Sequence, residues 1–317
     1  MLYIIIVSIL LFILLAIFIT SLICFYKVFY FPDRKQLSED EFELPEGDIY
    51  EVYREKIIGW VREVRKLPCE NVVIKSFDGL TLRGKYYECK AGAPIEIMFH
   101  GYQGSSERDM GGGVFRAFAL THNVLLVDHR ASGTSDGNII TFGINEKKDC
   151  LDWIDFVRSR FGDDTRIILT GISMGASTVI MAAGDKRAEN VWYVLADCPY
   201  SSAKEIIKKV VSDMGLSAGI LYPFIRLGAL IFGRFDLEED SPIEAVNRVS
   251  APIIFYHGEA DDFVPCDMSR SLYAACPTKK KLVTVPEAGH GICVLKDKER
   301  YIDELKEFEE NVKKVTD

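Results

Sequence analysis

"RIILTGISMGAS", residues 166–177, decides how the rest of the chain is read. A run of β-branched residues leads into Gly171-Ile172-Ser173-Met174-Gly175, and a stretch of small and apolar residues suited to a helix follows. A serine so placed fits a tight strand-to-helix turn that exposes its hydroxyl at the end of a sheet. Gly171 and Gly175 meet the steric demand, because such a turn presses neighbouring backbones together. Chance also produces this pentapeptide in chains of 317 residues, so the surroundings have to decide.

Outward from that turn the chain alternates strand and helix. "NVVIKSFDGLTLRGKYYEC" (71–89) holds two β-rich runs joined at Asp78-Gly79, a hairpin signal. Buried-type strands are predicted at 94–101, 123–130, 165–171, 191–197, 252–258 and 280–286. Helices are predicted at 107–120, 144–160, 174–184 and 295–314. Short apolar strands separated by helices imply a mostly parallel sheet of about eight strands, covered on both faces, with the hairpin as its antiparallel edge. Residues 201–249 interrupt the alternation with the apolar "LSAGILYPFIRLGALIFG" (216–233), whose internal Pro and Arg make it a poor membrane span. An inserted helical cap explains it better.

The N-terminus is of another kind. "LYIIIVSILLFILLAIFITSLICFY" (2–26) carries no charge, and at ~1.5 Å per residue it makes a helix long enough to cross a hydrocarbon layer of ~30 Å. It lacks the basic n-region and the small-residue cleavage site of a secretory signal, so a retained single span is expected. Lys27, Arg34 and Lys35 follow the span, which by the positive-inside rule places the bulk of the chain in the cytoplasm. The expected division is an anchor at 1–30, a linker and lead-in helix at 31–70 (helix from about Ile49 to Lys66), and a globular domain at 71–317 with its cap at about 201–249.

Composition excludes several functions. A net charge of -9 without a basic block argues against nucleic acid as a partner. The eight cysteines show no C-x-x-C and no framework spacing, so they read as reduced thiols, and the five histidines show no metal-ligand spacing. No metal or cofactor is expected, and nothing fixes the oligomeric state.

A serine nucleophile needs a base, and the base needs an orienting acid. "HGEADDFVP" (257–265) follows a predicted strand and puts Asp261 or Asp262 at its carboxyl end. "PEAGHG" (286–291) follows the last strand and puts His290 on the next loop. Reactive groups of parallel sheets gather at those ends. An oxyanion hole is expected from the Met174 backbone N–H and a second donor in "FHGYQGS" (99–105), the Tyr102 N–H. His100 reads as a packed histidine fixing that loop, Asp128 and Arg130 as a mutual pair or a loop brace, and Asp197 as a fallback acid. The glycines of "MGGG" (110–113) read as close packing at a helix start, since no Gly-Lys-Ser/Thr follows.

The set "HGYQGS", "VDHRASGTSDG", "GISMGAS", "HGEADDFVP" and "EAGHG" resembles the α/β-hydrolase superfamily over roughly residues 70–314. Within it the chain is similar to membrane-anchored bacterial serine hydrolases of the serine-aminopeptidase-like and feruloyl-esterase-like groups. The resemblance implies Ser173 as nucleophile, His290 as base and Asp261 as acid, because the acid of the similar pattern precedes Val-Pro by two residues. Ala131 departs from it, standing where relatives show glycine. The implied activity is hydrolysis of an ester, a lipophilic acyl or aryl ester given the apolar cap and the anchor. The alternatives are a peptidase whose cap carboxylates Glu238, Glu239 and Asp240 bind a substrate amine, and a non-catalytic membrane-tethered binding protein on the same fold.

Overall fold

The computed structural model describes residues 1–32, 41–42, 44–45 and 47–316. Part of the expected linker, at 33–40, 43 and 46, lies outside the described residues. The strands are β1 Glu70–Lys75, β2 Thr81–Tyr87, β3 Ile95–Phe99, β4 Asn123–Val127, β5 Ile167–Ile172, β6 Val191–Asp197, β7 Ile253–Gly258 and β8 Lys280–Val285. They form one eight-stranded sheet in the order β1-β2-β4-β3-β5-β6-β7-β8. β2 pairs antiparallel with both β1 and β4, and all other pairs are parallel. Every residue of β3, β4, β6 and β7 is buried, as strands covered on both faces must be.

The helices are α1 Leu2–Val28, α2 Asp48–Glu51, α3 Arg54–Lys66, α4 Ser106–Ala119, α5 Glu146–Phe161, α6 Met174–Ala183, α7 Ala203–Asp213, α8 Ala218–Gly228, α9 Pro242–Ala245, α10 Cys266–Ala275, α11 Cys293–Lys296 and α12 Lys298–Thr316. One apolar cluster joins a sheet face to α5, α6 and α10. On the other face, α3 and α4 pack over one part of the sheet and α12 over another. The lead-in helix expected at 49–66 is interrupted at Val52–Tyr53. α10 is an addition to the sequence reading. The glycines at 111–113 lie inside α4 rather than at its start, and a Cβ on Gly112 would stand 2.5 Å from the Trp60 ring of α3.

Register sets up the site. Phe99 pairs with Val127 and Gly171, Ile172 with Asp197, Asp197 with Tyr256, and Gly258 with Val285. The segments after β3, β5, β6, β7 and β8 therefore leave the same edge of the sheet. Ser173 follows β5 at φ 56°, ψ −119°, a conformation that costs a side-chain-bearing residue about 1–3 kcal/mol. Its N–H donates to Asp197 O at 2.8 Å, and its carbonyl accepts the Ser177 N–H to open α6. The two glycines of the motif now have a cause. A Cβ on Gly171 would lie 2.2 Å from the Gly175 carbonyl, and one on Gly175 would lie 2.2 Å from Phe99 O. Backbone on both sides cannot yield, so Gly175→Ala should destabilise by about 3 kcal/mol. Thermal melts are expected to show a midpoint lower by roughly 6–10 °C.

Between β6 and β7 the cap comprises α7, α8, a π-turn at Ala229–Gly233 and α9. α1 is the single described helix long and apolar enough to cross a membrane, but it does not end in a free tether. Phe25 and Phe29 are buried in the cap cluster with Phe142, Tyr222 and Phe235. Ile140 N–H donates to Phe29 O at 2.9 Å and Phe31 N–H to Asn138 O at 2.7 Å. A boundary at residue 30 thus falls within packed residues.

Candidate active site

Above the strand ends three side chains form a chain of hydrogen bonds. His290 Nε2 lies 2.9 Å from Ser173 Oγ, and His290 Nδ1 lies 2.7 Å from Asp261 Oδ2. Ser173 is 9% exposed. With Nδ1–H donating to the carboxylate, Nε2 is left to accept the serine proton, the arrangement of a base beside a nucleophile.

Asp261 is held from several directions. Its Oδ1 accepts the Phe263 and Val264 N–H groups at 3.0 and 2.8 Å. Burial alone would raise this carboxyl, but bonds from His257, His290 and the Val264 N–H outweigh it and hold it at about 2. It is ionised at any ordinary pH. His257, which the sequence reading left without a role, is a buried positioning residue. Its Nε2 stands 2.8 Å from Val264 O and 3.2 Å from Asp261 Oδ2, and its Nδ1 accepts from Ser269 Oγ at 2.6 Å. The motif "HG" before the acid was the available signal. Tyr50 of α2 was also missed; its hydroxyl donates to His290 O at 2.9 Å and fixes the histidine loop.

Asp197 is not part of this chain: its Oδ2 accepts the Tyr301 hydroxyl at 3.0 Å, and burial pushes its carboxyl up to about 6. The Asp262 backbone carbonyl accepts from the Lys209 ammonium, while the adjacent Asp261 is the carboxylate that meets His290. Cys198 Sγ lies 3.9 Å from His290 Nε2. Cys198, Asp261 and His290 are the one group among the described residues whose donor atoms converge enough to hold a metal ion, and two of those three are engaged in the hydrogen-bond chain.

The loop after β3 abuts the serine, since a Cβ on Gly101 would stand 3.5 Å from Ser173 Cβ. Among the described residues, the Tyr102 and Met174 N–H groups donate to no protein acceptor. His100 pins this loop: its Nδ1–H donates to Gly101 O at 2.8 Å and its Nε2 accepts the His129 N–H at 3.0 Å. The Tyr102 hydroxyl donates to Val28 O at 2.8 Å, tying the loop to the end of α1.

Of the two readings given for Asp128 and Arg130, the mutual pair fails and the loop brace holds. Arg130 does not pair with Asp128; it is buried between Asp149 and Asp78, joining α5 to the hairpin turn. Asp128 braces the next loop through the Thr134 N–H and reaches the Ser106 N–H of α4. Ala131 sits at φ 57°, which explains why a glycine suits that position. The cap carboxylates are already partnered: Asp240 with Lys147 and Arg248, Glu238 with Tyr222 and Arg226, Glu239 with Lys148.

A family model described as the alpha/beta hydrolase fold matches residues 97–219. YqkD of Bacillus subtilis is 26% identical over 199 residues, 62% of this chain and 65% of its own length, a little under two thirds. Among solved structures, the esterase Pf2001 of Pyrococcus furiosus superposes with a TM-score of 0.64 at 20% identity, covering 79% of this chain and 93% of that one. The acylaminoacyl peptidase of Pyrococcus horikoshii does so at 0.55 and 20% identity, over 78% of this chain and 42% of that one. At such identities the likeness is one of fold. Sheet order, family match and structural neighbours agree on one architecture, the α/β-hydrolase fold.

Proposed function

We propose that the chain is a membrane-anchored serine hydrolase acting on lipophilic carboxylic esters through Ser173, His290 and Asp261. The observation that carries this reading is the hydrogen-bond chain from Ser173 Oγ through His290 to an ionised Asp261. Ser173 Oγ attacks the ester carbonyl carbon while His290 Nε2 takes its proton. The carbonyl oxygen becomes an oxyanion facing the N–H groups of Tyr102 and Met174. Collapse expels the alkoxide, which leaves as the alcohol with the proton from His290. Water then attacks the acyl-enzyme, giving its proton to His290, and the carboxylic acid departs as Ser173 recovers its hydrogen.

Support for a lipophilic substrate comes from the cap cluster, where Met174, Phe142 and Val264 pack with the apolar residues of α7 and α8, with Tyr102 against them. The test is a fluorophosphonate probe followed by an ester series of rising acyl length, both on the full chain. Labelling is expected, with kcat/KM climbing from acetyl to long-chain esters. Equal turnover along the series would remove the lipophilic preference, and an unreactive protein would turn the reading toward a binding role. The peptidase alternative loses its amine-binding site, because each of the three cap carboxylates named for it already holds a cation or a hydroxyl.

A further inference from the structure

α8 carries an apolar stripe on the side turned away from the site. Leu216, Ile220, Pro223, Leu227, Leu230 and Ile231 recur every three to four residues, the spacing of one helix face. Ile220 is 65% exposed and Ile231 47%. Arg226, the one charge between 216 and 233, is neutralised by Asp236 at 2.8 Å and Glu238 at 3.3 Å. A row of bare aliphatic side chains this long needs an apolar partner.

The anchor says which. Phe18 of α1 meets Phe232 edge-on at 5.2 Å between ring centres, and Phe25 meets the same ring at 5.7 Å. Gly228 approaches α1 so closely that a Cβ there would stand 2.4 Å from Ser21 O. A hydrocarbon core of ~30 Å takes up about 20 helical residues. The uncharged run extends from Leu2 to Tyr26, so Phe18 lies in hydrocarbon wherever such a span is placed within it. Tyr26 and Tyr30, in ring contact at 5.0 Å, and the exposed Lys27 mark the interface end of α1. Phe18 is eight residues from Tyr26, roughly 12 Å along the helix, and Phe232, in ring contact with both Phe18 and Phe25, descends to a depth between theirs.

We propose that the outer face of α8 and of the π-turn after it is embedded in the acyl-chain margin of the leaflet that α1 leaves. The cap is then an in-plane membrane helix as well as a lid. This rests on the reading of α1 as a membrane anchor, and it deepens the substrate assignment. The inner face of the same helix, at Tyr222, Ile225 and Ala229, belongs to the apolar cluster that includes Met174, so an ester held in the leaflet has an apolar surface to follow toward Ser173.

The test uses the full chain in phosphatidylcholine bilayers brominated either near the glycerol or near the chain ends. Ile220→Trp and Leu230→Trp place reporters on the stripe, Phe12→Trp reports on the anchor, and Val73→Trp, exposed on β1, reports on water. Both stripe side chains project away from the rest of the protein, so the substitutions disturb no packing, and circular dichroism checks each fold. The expected result is loss of most of the added emission at 220 and 230 with shallow bromine and less with deep bromine, while Val73→Trp matches the parent. Quenching at position 12 alone overturns the proposal and keeps the anchor. A blue-shifted but unquenched signal at 220 and 230 also overturns it, in favour of a protein partner on this face. Absence of quenching at all four positions overturns the anchor reading and this one with it.

Discussion

Ser173→Ala is expected to lower ester kcat/KM by about 10⁴–10⁶-fold, the loss that follows removal of a nucleophile from a hydrogen-bonded triad. That is about 5–8 kcal/mol of transition-state stabilisation. Fold and substrate affinity should survive, because among the described residues Oγ has one partner, His290 Nε2 at 2.9 Å. Ser173→Gly separates chemistry from architecture. It should be equally inactive, yet melt higher than Ser173→Ala, because position 173 sits at φ 56° and glycine removes the strain that alanine keeps. Fluorophosphonate labelling, single-turnover kinetics and thermal melts on the three proteins decide the matter. Residual labelling of Ser173→Ala at the parental rate would place the nucleophile elsewhere and sink the proposed mechanism.

Much of this was legible because parallel strands buried on both faces leave a local signature. "VWYVLAD" is a run of apolar and β-branched residues, and β6 spans the same 191–197. The turn at Ser173 was legible for a steric reason, since a Cβ at either flanking glycine would stand 2.2 Å from backbone. Glu96 shows where locality ends. It is a carboxylate in the middle of a wholly buried strand, tolerated because Arg116 of α4 and Thr170 of β5 bind it. Nothing near it in sequence announces those partners. Tyr50 went unread for the same reason, since it reaches His290 O over 240 residues of chain. His257 is a different case: it stands four residues before Asp261, and the "HG" ahead of the acid was a local signal left unused. α10 was missed because its ten residues are short, and its buried positions Cys266, Ser269 and Leu272 hold only one large apolar side chain. The packing of α1 was not legible either: its uniform apolarity hides that Ser21 and Phe25, with Phe29 just past its end, are buried.

Removal of α1 should therefore damage the domain itself and not only the proposed membrane attachment. A chain beginning at residue 32 loses Phe25 and Phe29, 4% and 0% exposed. Deleting a buried phenylalanine side chain costs about 3–5 kcal/mol, so the pair approaches the 5–15 kcal/mol that holds a typical domain together. It also strands the Ile140 N–H and the Tyr102 hydroxyl, which lose Phe29 O and Val28 O. Tyr102 carries a proposed oxyanion donor on its backbone, so what remains folded should show a fall in kcat larger than any change in KM. Parent and truncated chain compared in the same detergent micelles, by melting midpoint and by ester kinetics, give the answer. A midpoint lower by several degrees and a depressed kcat are expected. If the truncated chain melts and turns over as the parent does, α1 is a tether, and its contacts with α8 and Tyr102 carry no energy. The single change Phe29→Ala provides the finer reading, because it keeps α1 whole and removes one side chain in contact with three buried aromatic rings, Phe25 at 6.1 Å, Phe142 at 5.9 Å and Phe235 at 5.3 Å. A loss of about 3 kcal/mol there, with α1 kept whole, would place the stability of the globular domain partly in its N-terminal helix.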